Sequence, residues 1–130
     1  MSPITVLVVE DFEPFRQFIS ATLIRRSNLQ IICEVADGLA AVQKAEELKP
    51  DLILLDIGLP TQSGIAAARQ IRELSPASKI IFLTQESSAD VMQEALSLGA
   101  KGYVLKAKAG RDLLAAVDAV ISGSSFVSTV

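Results

Sequence analysis

Short hydrophobic runs alternate with amphipathic stretches along this chain of 130 residues. Runs rich in valine, isoleucine and leucine predict five β-strands, at residues 4–9, 31–36, 52–55, 79–84 and 103–105. These runs are mostly continuous instead of alternating with polar residues. Continuous apolar runs are typical of parallel strands that are buried on both faces of a sheet.

A stretch with hydrophobic residues at helical spacing follows each predicted strand. The five predicted helices end near residues 23, 48, 74, 98 and 121. Pro14 suits the first turn of the first helix. Asp37 is interpreted as a turn residue or cap, Ser63 as the N-cap of the third helix, and Ser87 or Ser88 as that of the fourth.

Five strand–helix units in this order predict an α/β fold with a single doubly wound five-stranded parallel sheet, (βα)5. We expect the flavodoxin-like strand order 2-1-3-4-5, in which strands one and three are neighbours. A Ser-Gly-Ser-Ser segment at 122–125 breaks the last helix. We therefore expect one domain at residues 1–123, followed at 124–130 by a C-terminal tail or the start of a linker.

Composition excludes several classes of function. The chain has no histidine, which excludes Ser-His-Asp and Cys-His catalysis and disfavours a zinc site. A net charge of -3 disfavours direct binding of nucleic acid. The sequence has no signal peptide pattern and no apolar run of the roughly 18 residues that a membrane span needs. With a single cysteine, these features favour a cytoplasmic location.

Polar side chains stand at the predicted carboxyl ends of four strands. Glu10 and Asp11 follow the first strand, Asp56 the third, Thr84 ends the fourth and Lys106 follows the fifth. Each alone has an ordinary interpretation; Asp11, for example, suits the cap of the first helix and Lys106 a solvated surface position. In the expected strand order they converge at the edge where doubly wound sheets bind ligands. Their combination therefore predicts a functional site.

The chemistry of this set favours a cation and a phosphoryl group. Carboxylates that lie close together oppose each other's ionisation, and a divalent cation relieves that repulsion. Oxygen ligands without imidazole or thiolate suit Mg²⁺, which takes further ligands from phosphate. A lysine and a hydroxyl can bind phosphoryl oxygens, and a carboxylate can be the nucleophile. We expect Asp56 to stand at the open end of its strand and not to be buried within the apolar run.

From residue 4 to 122 the chain resembles the receiver (REC) domain of two-component response regulators. Four segments carry the resemblance in order: VVED, DLILLDIGLP, IIFLT and GAKGYVLK. One such segment is weak evidence for the resemblance, but four in this order and at these separations are specific evidence. The segments ADGLAAV and PDLILLDIGLPTQSGI are most similar to the LuxR/NarL-type subfamily, whose members carry a C-terminal helix-turn-helix output domain.

The resemblance implies a phosphorylation-dependent signalling switch. Asp56 would accept a phosphoryl group from a sensor histidine kinase, with Mg²⁺ as cofactor. Asp11, Asp56 and the carbonyl of Gly58 would bind the metal, with Glu10 close by or bound through water. The chain would not be an enzyme beyond limited phosphoryl self-transfer and autodephosphorylation.

The resemblance also implies how the switch works. Lys106 would contact the phosphoryl group, Thr84 would swing inward to hydrogen-bond it, and Tyr103 would turn inward with Thr84. Tyr103 equally has the interpretation of ordinary packing in a short strand. The output would be transcription, with DNA contacted only through an output domain absent from this chain. A homodimer through the last helix is a possible assembly, and no membrane partner is expected.

Three residues depart from the usual family pattern. Phe12 is bulky beside the metal loop, and Ala107 follows Lys106 where many members have proline. Gln85 follows Thr84 where the family usually has a small residue, so it is placed to crowd the phosphoryl group or to change its hydrolysis rate.

Three alternatives remain beside the phosphorylated receiver. A phosphatase-type enzyme with an aspartyl intermediate usually has a second acid two residues after the nucleophile, where this chain has Gly58. A flavin-binding module needs a Ser-, Thr- or Gly-rich loop after the first strand, where EDFEPF is acidic. A receiver-like interaction module that takes no phosphate is disfavoured by the intact acidic pair, Thr84 and Lys106.

Overall fold

The computed structural model describes residues 2–85 and 88–129. The strands are β1 (Ile4–Val9), β2 (Leu29–Val35), β3 (Leu52–Asp56), β4 (Lys79–Thr84), β5 (Gly102–Leu105) and β6 (Phe126–Val127). The helices are α1 (Glu13–Leu23), α2 (Gly38–Leu48), α3 (Gly64–Leu74), α4 (Ala89–Ser97) and α5 (Ala109–Ile121). A short 3₁₀ turn, Lys106–Lys108, joins β5 to α5.

The strands form one parallel sheet in the order β2-β1-β3-β4-β5-β6. The predicted α/β class, doubly wound flavodoxin-like topology and order of the first five strands are confirmed. The predicted count of five strands is wrong, because Phe126 and Val127 add a sixth beside β5. The added strand pairs with backbone groups at the edge of β5: Phe126 N donates to Lys101 O and Ser128 N to Tyr103 O.

Helices cover both faces of the sheet, as the continuous apolar strands predict. On one face α1 and α5 pack against residues such as Val8 and Leu54. On the other, α2, α3 and α4 pack against residues such as Val9 and Leu55. Because both faces of the sheet are buried, the central strands can present polar groups to a ligand only at the strand ends.

The helix starts follow the predicted capping in part. Asp37 accepts a hydrogen bond from Ala40 N at 2.8 Å, and Ser63 caps α3 in the same way. Ser88 is the N-cap residue of α4 without a side-chain cap bond, and Ser87 lies outside the described residues. The alternative interpretation of Asp11 as the cap of α1 is wrong, because Phe12 occupies the N-cap position.

Gly64 lets α3 begin directly against the end of β3. A Cβ atom at Gly64 would lie 2.1 Å from the carbonyl oxygen of Asp56, closer than any real contact. Gly64 N also donates to Ile57 O at 2.8 Å. Because Gly64 has no side chain, the start of α3 can pack directly against the backbone of Asp56.

Within the described residues, no helix combines the length and apolar character that a membrane span requires.

Candidate functional site

A cavity of about 420 Å³ opens at the carboxyl ends of the strands. Five predicted site residues line it together: Asp11, Asp56, Gly58, Thr84 and Lys106. Phe12 and Gln85, two of the residues that depart from the family pattern, line it as well. The topology thus brings together residues as far apart in sequence as Asp11 and Lys106.

Three acidic side chains converge at this edge of the sheet. One carboxylate oxygen each from Glu10, Asp11 and Asp56 lies within 4.8 Å of the other two. Glu10 is fully buried, Asp56 is 4% exposed, and Asp11 is exposed. The expectation that Asp56 is not buried is therefore wrong, although its position at the end of the strand is confirmed.

Lys106 explains why two acidic groups can be buried here. Its ammonium Nζ donates to Asp56 Oδ2 at 3.1 Å and forms an ion pair with Glu10 Oε1 at 2.8 Å. The Glu10 contact is not aligned as a hydrogen bond, so that oxygen keeps unused accepting capacity among the described residues. A buried charge is costly unless it is paired, and Lys106 pairs two of them at once.

Burial and close contacts shift the pKa values of both Glu10 and Lys106. Burial raises the pKa of Glu10, while the adjacent ammonium of Lys106 and the hydrogen bond from the Phe12 amide oppose that rise. Burial alone would lower the pKa of Lys106, but its contacts with Glu10 and Asp56 outweigh that effect and raise it. Lys106 is therefore held as a cation in the site.

The loop after β3 contributes a second contact to Asp56. Gly58 N donates to Asp56 Oδ1 at 3.1 Å. Asp56 Oδ1 thus accepts a hydrogen bond from Gly58 N, and Asp56 Oδ2 accepts one from Lys106. Sequence reasoning named only the carbonyl of Gly58, as a metal ligand, and missed the role of its N–H.

Helix α1 and its N-cap residue add three contacts that sequence reasoning missed. Arg16 Nη1 donates to the carbonyl of Glu10 at 2.8 Å, and Phe12 N donates to Glu10 Oε2 at 3.0 Å. The ring of Phe15 lies under Lys106, with its centroid 4.9 Å from Nζ. The sequence signal for these roles was weak: the residues lie within about two helical turns of the acidic pair, and their spacing also fits ordinary packing.

The predicted switch residues lie at the ends of the neighbouring strands. Thr84 is the last residue of β4 and is 2% exposed, with its surface on the cavity. Tyr103 lies on β5, is 1% exposed, and packs into the core on the side of α2, α3 and α4. Ala107 is exposed in the 3₁₀ turn. Movement of Thr84 and Tyr103 upon phosphorylation stays a prediction.

The acidic cluster has the chemistry of a site for a hard cation. It offers carboxylate oxygens only, without imidazole or thiolate, and Glu10 Oε1 has no hydrogen-bond partner among the described residues. Mg²⁺ prefers such oxygen ligands. The residues present therefore fit the predicted cofactor.

Comparisons with known proteins agree with this geometry. The family model for the response regulator receiver domain matches residues 6–118. The transcriptional regulatory protein YdfI of Bacillus subtilis is 38% identical over 119 residues, and the match covers 92% of this chain and 55% of that protein. The response regulator protein VraR of Staphylococcus aureus is 37% identical over 122 residues, covering 94% of this chain and 58% of that protein.

A solved structure of a response regulator has the same fold as this chain. The two-component response regulator of the LuxR family from Aurantimonas sp. SI85-9A1 superimposes with a TM-score of 0.90 at 29% identity. The match covers 96% of this chain and 89% of that chain. The present chain spans little more than half the length of YdfI and VraR, so it corresponds to one part of those proteins.

Proposed function

This chain belongs to the response regulator receiver domain family, and from that premise we propose that Asp56 accepts a phosphoryl group. Receiver domains are signalling domains and not classical enzymes. The observation that carries the proposal is the position of the Asp56 carboxylate. It is rigidly held at the end of a central strand, on an open cavity, beside a cationic lysine and a threonine.

The proposed reaction is phosphoryl transfer to a carboxylate. An oxygen of Asp56 forms a bond to the phosphorus of a phosphohistidine or of a small acyl phosphate. The bond between phosphorus and the donor's nitrogen or oxygen breaks, and that atom keeps the electron pair. Hydrolysis reverses the modification when water attacks the phosphorus and the Asp56 carboxylate leaves.

The residues around Asp56 suit the developing charge. Lys106 Nζ already lies 3.1 Å from Asp56 Oδ2 and is 13% exposed, so it can donate to a phosphoryl oxygen without a large movement. The hydroxyl of Thr84 would donate to another oxygen. Gln85 is exposed at the rim and is positioned to influence the approach of water.

We propose that Mg²⁺ is bound by Asp11, Asp56 and the carbonyl of Gly58, with Glu10 bound directly or through water. The support is the acidic cluster and its oxygen-only donor set. When bound, the ion would offset the negative charge of the carboxylates and of the incoming phosphoryl group. The N–H of Gly58 and the ammonium of Lys106 keep Asp56 oriented.

The phosphorylated state would control an output. An acyl phosphate adds charge and acceptor oxygens, and Thr84 with Tyr103 would respond to them. We propose a sensor histidine kinase as partner, a cytoplasmic location, and transcription as the output through a DNA-binding domain joined to this receiver. Because β6 (Phe126–Val127) pairs with β5, the proposed linker would begin after that strand and not directly after residue 123. Family membership and the names of the relatives support these points. A homodimer remains a proposal of the same kind.

Intact-mass spectrometry tests the proposal. The protein is incubated with Mg²⁺ and a small acyl phosphate, and we expect the mass of one phosphoryl group to be added. Asp56→Asn should add none, whereas Asp37→Asn, which alters a helix cap away from the cavity, should still add one. Uptake by Asp56→Asn, or no uptake by the unaltered protein, contradicts the assignment.

A further inference from the structure

The ammonium of Lys106 has an aromatic neighbour that the proposed reaction does not explain. The Phe15 ring centroid lies 4.9 Å from Nζ, within the range of a cation–π interaction. Carboxylates of Glu10 and Asp56 contact the same ammonium at 2.8 Å and 3.1 Å. Lys106 is therefore held between two acids and an aromatic ring.

The orientation of the Phe15 ring has its own support in α1. Phe15 stacks on Phe18, with ring centroids 5.4 Å apart and an angle of 29° between the planes. Phe18 lies one turn further along the helix and is 36% exposed. The stacked pair restricts the ring that faces Lys106, while Phe18 provides a matched aromatic residue for comparison.

An aromatic contact suits a lysine that must change partners. A hydrogen bond fixes the direction of one N–H, whereas the attraction to a ring depends mainly on where the ammonium lies over its face. The three N–H donors of Lys106 thus stay free to turn between oxygen atoms. Phosphorylation of Asp56 would require such an exchange, from a carboxylate oxygen to a phosphoryl oxygen.

We propose that Phe15 is a positioning residue for Lys106, whose ring keeps the ammonium over the site before and during phosphoryl transfer. Its effect on the reaction rests on the proposed function of Asp56. The contact between ring and ammonium does not, so the two can be tested separately.

Nuclear magnetic resonance tests the contact without any phosphodonor. In the unaltered protein the Lys106 side-chain methylene signals should be displaced by the ring current of Phe15, and they are assigned by their loss in Lys106→Arg. Phe15→Leu should return them toward the values of a solvated lysine. Phe15→Tyr should leave them displaced, and Phe18→Leu, which removes only the stacking partner, should reduce the displacement less than Phe15→Leu does. Unchanged Lys106 signals in Phe15→Leu overturn the proposal.

Phosphorylation kinetics test the consequence. At saturating Mg²⁺, Phe15→Leu should slow phosphoryl uptake from acyl phosphate by about threefold to tenfold, as expected for loss of one partly buried cation–π contact. Phe15→Tyr should keep the rate near that of the unaltered protein, and Phe18→Leu should slow uptake by less than Phe15→Leu does. In a Lys106→Met background, Phe15→Leu should cause no further loss.

Two results would contradict a positioning role. Equal slowing by Phe15→Leu and Phe18→Leu indicates general damage to α1, and additive slowing in the Lys106→Met background indicates an effect that bypasses the lysine. Thermal unfolding of each variant shows that the compared proteins are folded. If the unaltered protein takes up no phosphoryl group, the proposed function fails, while the magnetic resonance result still decides the contact.

Discussion

Two buried aspartates in this fold are nearly equal in exposure and opposite in character. Asp112, near the start of α5, is 5% exposed, and Asp56 is 4% exposed. Asp112 accepts from Arg111 Nε at 2.7 Å, from Arg111 Nη2 at 3.0 Å and from the Ser128 hydroxyl at 2.7 Å. Asp56 accepts hydrogen bonds from Gly58 N and Lys106, lies beside the like charge of Glu10, and faces an open cavity.

The difference separates a structural carboxylate from a functional one. Asp112 connects α5 to the sixth strand, because the Ser128 hydroxyl also accepts from Leu105 N at 3.2 Å. The Arg111 guanidinium holds the pKa of Asp112 below its usual value, against the opposing effect of burial. Its hydrogen-bonding capacity is used within the fold. Burial alone therefore does not mark a site; a buried carboxylate beside a second acid and an open cavity does.

The largest effect should come from a glycine beneath Asp56. In Gly64→Ala the new Cβ would lie 2.1 Å from the Asp56 carbonyl oxygen, so α3 or β3 must shift. We expect a loss of about 3 kcal/mol or more in the free energy of unfolding, measured by urea denaturation. Gly110→Ala, in the first turn of the helix that carries Asp112, meets no atom within 4 Å and should gain about 0.5–1 kcal/mol. Equal effects of the two variants would contradict this account of the packing.

The next largest effect is expected when Asp112 and Asp56 are each replaced by asparagine. Asp112→Asn removes a charged acceptor from a saturated network and should cost about 1.5–3 kcal/mol. Asp56→Asn relieves repulsion with Glu10, and Lys106 keeps Glu10 as a partner, so we expect a change within about 1 kcal/mol. Urea denaturation without Mg²⁺ measures both. A larger loss for Asp56→Asn would reverse the assigned roles.

Mg²⁺ should bind about tenfold more weakly, or by 1.4 kcal/mol, to a variant of the acidic cluster than to a variant of Asp112. Asp11→Ala removes one oxygen ligand from the acidic cluster, so calorimetric titration should show weaker binding. Asp112→Asn should bind Mg²⁺ as the unaltered protein does. Unchanged affinity in Asp11→Ala would reject the proposed metal site.

The smallest expected effect concerns how the free energy of unfolding depends on pH. Because the pKa of folded Asp112 lies below its ordinary value of 3.8, its contribution to stability is complete above that value. It is lost as the pH falls through the lowered pKa. The difference in unfolding free energy between the unaltered protein and Asp112→Asn should therefore shrink below pH 3.8. Asp118→Asn, at a half-exposed ion pair with Arg26, should give a weaker trend. A difference that grows on acidification would contradict the direction of the shift.

Periodicity and strand-end residues predicted most of the fold and the position of the site. Hydrophobic runs placed the five main strands, and the topology then required Asp11, Asp56, Thr84 and Lys106 to converge. These features are local in sequence or follow from general rules of parallel sheets.

The errors arose where long-range contacts override local patterns. Phe126 and Val127 follow a Gly-Ser break that is typical of a linker, yet Ser128 joins this segment to Asp112 and β5. The burial of Asp56 depends on Lys106, fifty residues away in sequence. The Ser128 contact is not visible in spacing or composition, and the predicted convergence of Asp56 with Lys106 did not show that a direct bond between them would allow Asp56 to be buried.

Phosphoryl uptake by the two aspartate variants tests the central claim most directly. Asp56→Asn and Asp112→Asn are each incubated with Mg²⁺ and acyl phosphate, and intact mass is measured at a temperature where both are folded. We predict one added phosphoryl group on Asp112→Asn and none on Asp56→Asn. Uptake by Asp56→Asn, or loss of uptake only in folded Asp112→Asn, would contradict the account.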